Sequence, residues 1–537
     1  MMRRVGWYAA ARCFPSIPGA WRGAGQKTTD LDALPTTGAL DWYRRTSRRM
    51  RGEEHDEGVE DVVGDSPSMH PTAPSKESLL RIQRQMMTFN DNIIPEEVCA
   101  TLWDAFSSAA ASGSFEEQLH FVKLLGDLGV DFEKVKTLCS GISATIDAGA
   151  DLEHNTKLQR QLEAAQRALT PMYAKWFHQT QTMPNGMKLL LDLRAMLLRL
   201  QRGLGKPGAK HEEFRGPIHS VLNSLTSQLR DWFQVAWLDT AELSWSQTPP
   251  AVLECIIKGE AVHPFPSFVA SKNRMSPTPR RLMYSFFHPT IPHEPLVTVQ
   301  VALWRGIASS VDEILFRDRG GPNVQESVGA PDTAIFYSIN ATQEGLAGID
   351  LGKFLIQKVV SELKSRPNSQ ITVFSTLSPI PNYVSWLKSL LAHNEAERAF
   401  TSDVLFKQAL EALELSCHAS PQELVQRIVD TFTSQTPWWK DEELTVKLKE
   451  PVLHSIAVYL AKEKRRSRIF DPVGNFHVKN GACMYRLNWL GNKTAMGSAQ
   501  SGCVMINYLY ELDSAAQRAS RYEMEGDFAI GEPFPKF

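Results

Sequence analysis

Long apolar runs and a strong charge bias are both absent from this 537-residue sequence. A bilayer-spanning helix needs about 20 apolar residues, whereas the apolar stretch 189–200 is interrupted by Asp192, Arg194 and Arg199. We therefore expect a soluble protein with no membrane insertion. The formal net charge of −2 gives no field that points to nucleic acid as a partner.

Paired cysteines are also missing. The seven cysteines are scattered, without a C-x-x-C motif, and an odd, dispersed set is typical of reduced thiols rather than of a disulfide scaffold or a zinc ribbon. Cys417 and His418 are adjacent, which is poor geometry for binding one metal ion. We predict no metal site.

Acidic residues are absent from the first 29 positions, which contain several arginines. An arginine-rich, acid-free segment with interleaved apolar residues is typical of a mitochondrial transit peptide, and its apolar part is too short for a secretory signal. We expect a protein of the mitochondrial matrix. The alternative for residues 1–29 is a disordered basic tail.

Residues 30–76 form a charge-blocked, proline-rich segment, which predicts a disordered linker. Met69 lies at an abrupt change in composition and is a candidate second start, which would give a cytosolic form without the transit segment. The last residues, 533–537, carry no Ser-Lys-Leu peroxisomal signal.

Residues 77–243 show helical periodicity throughout and predict an all-α domain of seven or eight helices, the last running from Pro217 to Trp237. No group of acids and histidines in this part indicates chemistry, so its expected roles are packing and self-association. Its apolar residues recur every three or four positions, for example at Leu158, Leu162, Ala165 and Leu169.

Strand-like and helical segments alternate over residues 244–511, which predicts an α/β domain. Residues 512–537 predict a weakly ordered tail. The strand-like runs are residues 282–287, 296–303, 311–316, 334–339, 370–377, 483–489 and 502–510.

The central unit of this domain is a strand, a glycine turn, a helix over 353–364 and a second strand. The turn has glycines at 345, 348 and 352, where the free amides and positive end of a helix can approach a phosphate. The spacing is neither a Walker loop nor G-x-G-x-x-G. The alternative is an ordinary glycine-rich connection.

Three sequence blocks carry a resemblance to a known family. They are "AIFYSINATQEGLAGIDLGKFLIQKVVSEL" with "FSTLSPIPNYVSWL", "HPTIPHEPLVTVQVAL" and "DPVGNFHVKNGACMYRLNWLG". In this order they resemble malonyl-CoA decarboxylases, and a weaker similarity extends over residues 77–510. The resemblance implies a helical oligomerisation domain followed by a catalytic domain similar to the GNAT acetyltransferase fold.

In that family the glycine turn holds the pyrophosphate of coenzyme A, and two parallel strands splay apart to admit the pantetheine arm. The resemblance therefore implies a substrate-binding set that also includes the two catalytic residues Ser378 and His477. The turn residues of this set are Ala347, Gly348, Ile349, Asp350, Leu351, Gly352 and Lys353.

Ser378 and His477 match the residues that carry the family's chemistry. The matching serine is a proton acceptor or a partner of the substrate carboxylate, and the matching histidine donates a proton. From the residues alone, Ser378 followed by proline also fits the N-cap of a helix.

Asp350 and Tyr510 complete the implied catalytic set. Asp350 stands where the family often has glutamate, and we expect it to point to the acyl end of the substrate. Tyr510 is expected to donate a hydrogen bond to the thioester oxygen, or else to be a buried strand aromatic.

The resemblance predicts conversion of malonyl-CoA to acetyl-CoA and CO2 in fatty acid metabolism. No cofactor is expected, since coenzyme A is part of the substrate and the thioester accepts the electron pair. A dimer or tetramer is expected through the helical domain. The alternatives are a CoA-dependent N-acyltransferase on the same fold and a non-catalytic acyl-CoA sensor or assembly protein.

Overall fold

The described part of the chain begins within the predicted helical domain. The computed structural model describes residues 94–148, 155–205, 210–234, 237–276, 280–316, 330–349 and 351–537. The predicted transit segment, the predicted linker and Asp350 lie outside these residues, so the predictions made for them remain predictions.

A helical region precedes the sheet. Its helices follow the periodicity of three to four residues, and side chains at several N-termini accept the first free amides, as Ser114 and Asp131 do. The last helix ends at Trp232, five residues earlier than the sequence predicts. Within the described residues the helices are α1 (Glu96–Ser112), α2 (Phe115–Asp127), α3 (Phe132–Asp147), α4 (Thr156–Ala168), α5 (Met172–Gln181), α6 (Gly186–Gly203) and α7 (Arg215–Trp232).

A mixed sheet forms the centre of the α/β domain, with strand order β1-β2-β3-β4-β5-β10-β6 and β9 beside β10. Only β4 and β5 pair in parallel, and the other pairs within this sheet are antiparallel. The short strands β7 (Lys464–Arg465) and β8 (Arg468–Ile469) form a separate hairpin. The sheet strands are β1 (Asp239–Leu243), β2 (Arg281–Phe287), β3 (Val297–Trp304), β4 (Thr333–Ala341), β5 (Val373–Thr376), β6 (Ser378–Pro379), β9 (Cys483–Asn488) and β10 (Met505–Tyr510).

Helices cover both faces of the sheet, and the larger core lies between the sheet and α11, α12, α14 and α15, whose bounds are given below. No helix in the described ranges is long and apolar enough to cross a membrane. The helices are α8 (Pro250–Gly259), α9 (Phe268–Met275), α10 (Val311–Phe316), α11 (Gly352–Ser365), α12 (Tyr383–His393), α13 (Asp403–Ala412), α14 (Pro421–Thr433), α15 (Glu442–Lys462), α16 (Pro472–Lys479), α17 (Ala495–Ser501) and α18 (Leu512–Glu525).

The parallel strands β4 and β5 part from each other near their carboxyl ends. Their pairing runs from Thr333 opposite Val373 to Phe336 opposite Thr376 and then stops. β4 continues to Ala341 beside β3 alone, whereas the chain after β5 turns to β10. The divergence opens a cleft in the sheet, as the resemblance implied.

Two predicted segments differ in secondary structure. Residues 311–316 are predicted as a strand, but they form helix α10. The carboxylates of Asp312 and Glu313 lie in its first turn, where they interact favourably with the helix dipole. Val311 and Ile314 lie one turn apart, and both are buried. The prediction of a weakly ordered tail is also wrong, because residues 512–525 form helix α18. This helix packs through Tyr522, whose hydroxyl accepts a hydrogen bond from the Ile469 amide at 2.8 Å.

The boundary predicted after residue 243 falls on the wrong side of β1. Asp239–Leu243 pairs with β2 and forms the edge of the sheet. Most of its side chains are exposed or half-buried, so its five residues lack the apolar run by which the other strands are recognised.

Candidate active site

A cavity of about 320 Å3 lies where β4 and β5 part. Its walls come from β4, the glycine turn, the chain around β6 and helix α16, and most of them are apolar. Ser378 and His477 face this cavity together with five residues of the glycine turn. These five are Leu346, Ala347, Gly348, Ile349 and Gly352, of which all but Leu346 belong to the predicted substrate-binding set.

The glycine turn has the geometry of an anion site. Gly348 has a φ of 79°, a conformation that glycine adopts without the strain of a side chain. Helix α11 begins after Leu351, whose side chain makes no cap hydrogen bond. Among the residues that the structure describes, no side chain caps the first amides of the helix, and the helix dipole favours a negative group there.

The helical region holds this turn in place. A Cβ on Gly345 would lie 2.1 Å from the Leu191 carbonyl oxygen of α6, so only glycine fits. The buried Arg194 of α6 donates hydrogen bonds to the carbonyls of Gly345 and Ala347, the latter at 2.9 Å. The sequence shows Arg194 as a charge inside an apolar run, and we interpreted it only as an argument against a membrane span.

Ser378 lies in β6 and pairs with Ile506 of β10. The N-cap alternative is wrong, because the next helix, α12, begins at Tyr383 with Asn382 as its N-cap. The Ser378 hydroxyl is buried and lies 2.9 Å from Thr376 Oγ1 and 3.1 Å from His477 Nε2. Ser378 is therefore free of a capping role and contacts the predicted histidine.

His477 occupies the last turn of α16. The buried Asp471 starts this helix by accepting the amides of Val473 and Gly474 at 3.0 and 2.8 Å, and burial raises the pKa of Asp471 to about 6. The imidazole of His477 is fully enclosed, and burial lowers its pKa to about 3. The ring is therefore neutral at physiological pH.

Two tyrosines of β10 hold the His477 ring. The hydroxyl of Tyr510 lies 2.9 Å from Nδ1, and burial raises the pKa of Tyr510 well above its ordinary value. The ring of Tyr508 stacks on the imidazole at a centroid distance of 4.6 Å. Tyr510 thus contacts the histidine and does not line the substrate-sized cavity. Sequence reasoning missed Tyr508 and Thr376.

Of the three remaining residues of the predicted site, the structure describes two, and neither lines the cavity. Leu351 is buried under the turn. Lys353 is half-buried and lines a groove between α11 and α18 instead of the cavity. Asp350 lies outside the described residues. Among the residues that the structure describes, no three His, Cys, Asp or Glu side chains are grouped as metal ligands would be.

The hydrogen bonds define a directed chain. Ser378 Oγ donates its proton to Thr376 Oγ1, so its contact with Nε2 is satisfied when Nε2 carries the imidazole proton and donates to Oγ. Nδ1 is then the acceptor for the Tyr510 hydroxyl. A buried, neutral proton donor and a serine hydroxyl therefore meet at the end of an apolar cavity whose opposite wall is suited to an anion.

Comparisons with known proteins identify the family of this chain. The family model "Malonyl-CoA decarboxylase C-terminal domain" matches residues 236–536. A mitochondrial malonyl-CoA decarboxylase of Mus musculus is 33% identical over 414 residues, which cover 76% of this chain and 80% of the relative. Its counterpart in Anser anser anser is 33% identical, covering 74% and 76%. The crystal structure of malonyl-CoA decarboxylase from Rhodopseudomonas palustris has a TM-score of 0.66 at 26% identity, covering 86% of this chain and 99% of that one. The chain therefore belongs to the malonyl-CoA decarboxylase family.

Proposed function

We propose that the protein decarboxylates malonyl-CoA to acetyl-CoA and CO2, with His477 as the proton donor and Ser378 as the partner of the leaving carboxylate. Family membership carries the reaction class, a carboxy-lyase, and the substrate. The observation that supports the site is the contact of 3.1 Å between Ser378 Oγ and His477 Nε2 at the end of the cavity.

Coenzyme A is oriented by the glycine turn. Its pyrophosphate binds the first amides of α11, and the residues that we assign to this are 347–353. The pantetheine arm then enters the cleft where β4 leaves β5 at Phe336. This places the acyl group at the inner end of the cavity, beside Ser378 and His477.

The reaction needs an electron sink and one proton. The bond between the α-carbon and the carboxylate breaks, CO2 leaves, and the electron pair moves into the thioester carbonyl as an enolate. The enolate carbon then takes a proton to form acetyl-CoA. Because the thioester itself is the sink, we propose that no cofactor takes part. The apolar walls favour a step that disperses the carboxylate charge.

His477 supplies that proton from Nε2. The empty site keeps the ring neutral through burial, whereas an anionic substrate beside the ring raises the pKa of the imidazole by favouring its charged form. The ring takes up a second proton from water at Nδ1 when substrate binds, with the Tyr510 hydroxyl turned to accept it, and the imidazolium becomes neutral again when Nε2–H passes to the enolate carbon. A positioned acid of this kind typically contributes about 10²–10⁴-fold to the rate. Tyr510 acts as a positioning residue, because its hydroxyl at Nδ1 keeps the transferable proton on Nε2.

Ser378 holds the carboxylate. Its hydroxyl bonds to Thr376 in the empty site, and we propose that it turns to the malonyl carboxylate when substrate binds. A hydrogen bond to the carboxylate fixes the torsion about the bond between the α-carbon and the thioester carbonyl, so that the bond that breaks stands out of the thioester plane and its electron pair can enter the carbonyl.

The deciding experiment mixes the purified protein with malonyl-CoA and follows acetyl-CoA and CO2 without an acceptor or cofactor. We expect equal release of both products, and His477→Ala should bind acetyl-CoA normally while turnover falls by about 10²-fold or more. His393→Ala, an exposed histidine at the end of α12, is the matched control. Near-normal turnover of His477→Ala would exclude the assigned role.

The same assay separates the alternatives. Acetyl transfer to an amine with no malonyl-CoA present would support an acyltransferase. Tight binding of malonyl-CoA without product would support a sensor.

The names of the relatives and the composition of the chain support a proposal for its location, and the helical region is the basis of a proposal for its assembly. The curated relatives named above are mitochondrial proteins, which supports a mitochondrial location. We place the protein in the matrix, with residues 1–29 as the transit segment, residues 30–76 as a linker and a start at Met69 as the source of a cytosolic form. A homo-oligomer, dimer or tetramer, formed through the helical region is part of this proposal.

A further inference from the structure

A second cavity, of about 280 Å3, lies in the α/β domain beside α10 and away from the Ser378–His477 pair. Apolar side chains make up much of its wall, including Pro264, Val311 and Leu315. Two arginines, Arg274 and Arg281, line it as well. We refer to it below as the second cavity.

Arg274 is nine-tenths buried. Its guanidinium donates to the carbonyl of His263 and lies 4.2 Å from the ring centroid of Phe265. Glu260 acts on it through space, but among the described residues no carboxylate oxygen is within ion-pair distance of Arg274. A buried guanidinium whose other N–H groups have no acceptor among these residues is arranged to receive an acceptor, and its charge favours a negative one.

Neither of the two nearby acids contacts the guanidinium. Glu260 keeps its charge and acts on Arg274 through space, but its oxygens are occupied, because they accept two backbone amides and the side chains of Gln300, Ser338 and Asn340. Asp312 lines the second cavity, but its charged neighbour is Lys493 rather than an arginine.

Arg281 strengthens the positive potential. It is also nine-tenths buried, and it donates to the Asn273 carbonyl at 3.3 Å. Burial lowers the pKa of both guanidinium groups, yet arginine remains charged in proteins. Two cations therefore line a cavity whose other walls are largely apolar.

We propose that the second cavity binds a small organic monocarboxylate, whose head group contacts Arg274 and Arg281 while its apolar body packs on Pro264, Val311 and Leu315. The fork of an arginine matches a carboxylate. A bare phosphate would leave the apolar walls without a partner, and a dicarboxylate would bring a second charge towards Asp312.

The second cavity is separate from the substrate cavity. Val262 and Tyr337 line the substrate cavity, whereas His263, the residue after Val262, lines the second cavity. The rings of His263 and Tyr337 lie between them, 6.2 Å apart. The proposal therefore assigns a ligand site beyond the proposed reaction, and its outcome does not depend on decarboxylation.

The test measures hexanoate binding to the full chain by calorimetry with the substrate cavity saturated by acetyl-CoA. We expect saturable binding of hexanoate, with hexanamide and inorganic phosphate at least 10-fold weaker. Arg274→Met should weaken hexanoate at least 10-fold. Arg427→Met, an exposed arginine on α14, is the matched control and should bind as the wild type does.

A second variant keeps the proposal testable if Arg274→Met does not fold. Met496 is exposed at the rim of the second cavity, so Met496→Trp fills the entrance without touching the arginines and should also weaken hexanoate at least 10-fold. Equal affinity for hexanamide, full affinity in a folded Arg274→Met protein, or loss of binding when acetyl-CoA is added would each overturn the proposal.

Discussion

Three neighbours that differ in chemistry contact the His477 ring. Tyr510 fixes which ring nitrogen carries the proton, Ser378 receives that proton's hydrogen bond, and Tyr508 covers the ring face. None of them is charged, so burial alone dominates the titration and lowers the pKa of His477 to about 3. The resting site is therefore neutral, and the anionic substrate is the first charge that the ring meets.

This burial predicts a pH dependence of stability. The pKa of His477 falls from 6.5 to about 3 on folding, so the unfolded state binds more protons between these values and stability rises with pH across that window. The stabilisation is complete above about pH 6.5 and is lost as pH falls towards 3. We expect His477→Gln to flatten the slope of unfolding free energy against pH by up to about 1.4 kcal/mol per unit.

Urea unfolding of the two proteins at several values between pH 4 and 6.5 measures this slope. His263, whose pKa burial lowers to about 4, contributes in the same direction in both proteins and cancels in the comparison. His393→Gln changes an exposed histidine and should keep the wild-type slope. Identical slopes for His477→Gln and wild type would mean that the ring is not buried in its neutral form.

Among the elements, the glycine turn depends on α6 as much as on its own sequence. Gly345 lies against the Leu191 carbonyl, and Arg194 binds two turn carbonyls. Exposed ion pairs of Arg199 and Arg202 with Glu344 lie beside this contact and contribute little each. The turn whose amides we propose for phosphate binding is thus positioned by a helix about 150 residues earlier in the chain.

Gly345→Ala tests this dependence. The added Cβ would stand 2.1 Å from the Leu191 oxygen, so α6 or the turn must move. We expect a loss of about 1–3 kcal/mol in stability and a rise in the KM for malonyl-CoA that exceeds any fall in kcat. Thermal unfolding and steady-state kinetics give the two quantities.

Gly216→Ala is the matched substitution, because a Cβ there meets nothing within 4 Å and the residue lies in the first turn of α7. It should leave KM unchanged and stabilise the protein by a few tenths of a kcal/mol up to about 1 kcal/mol. Equal effects of the two substitutions would show that the turn does not rely on α6.

The sequence predicts the central unit well, because its signals are local. β4, the turn and α11 lie within two residues of the predicted bounds, since apolar period and glycine positions specify them. Local signals mislead at α10 and α18. In the first, a short apolar segment resembles a strand, and in the second, a polar helix is held by a few tertiary contacts such as that of Tyr522.

The site is less accessible to sequence reasoning, because its contacts are distant along the chain. Ser378 and His477 are 99 residues apart, and only the family resemblance brought them together before the structure did. Arg194 and Gly345 are 151 residues apart, and no periodicity links them. Thr376 and Tyr508 are ordinary strand residues until pairing of β10 beside β5 and β6 places them at the histidine.

At the scale of the whole molecule, the helical region supports the glycine turn, and it is also the region that we propose for self-association, through different helices. α6 supports the glycine turn, whereas α3 and α4 pack mainly on each other. This pair leaves unusually large apolar side chains exposed to solvent, and exposed apolar groups of this kind mark interaction surfaces. They are Phe132, Ile146, Leu162 and Leu169, with exposed fractions of 76, 45, 51 and 56%.

We therefore expect the α3–α4 pair to carry the proposed self-association. Phe132→Ser combined with Leu162→Ser should lower the mass measured by light scattering at a fixed protein concentration, since both side chains would lose their apolar partner surface. Val446→Ser removes an equally exposed apolar side chain, 75% accessible on α15, and should leave the mass unchanged. If the double variant keeps the wild-type mass, assembly uses another face. If the mass falls while turnover per chain is unchanged, assembly and catalysis are independent. We expect this outcome because α3 and α4 pack mainly on each other, whereas α6 contacts the glycine turn.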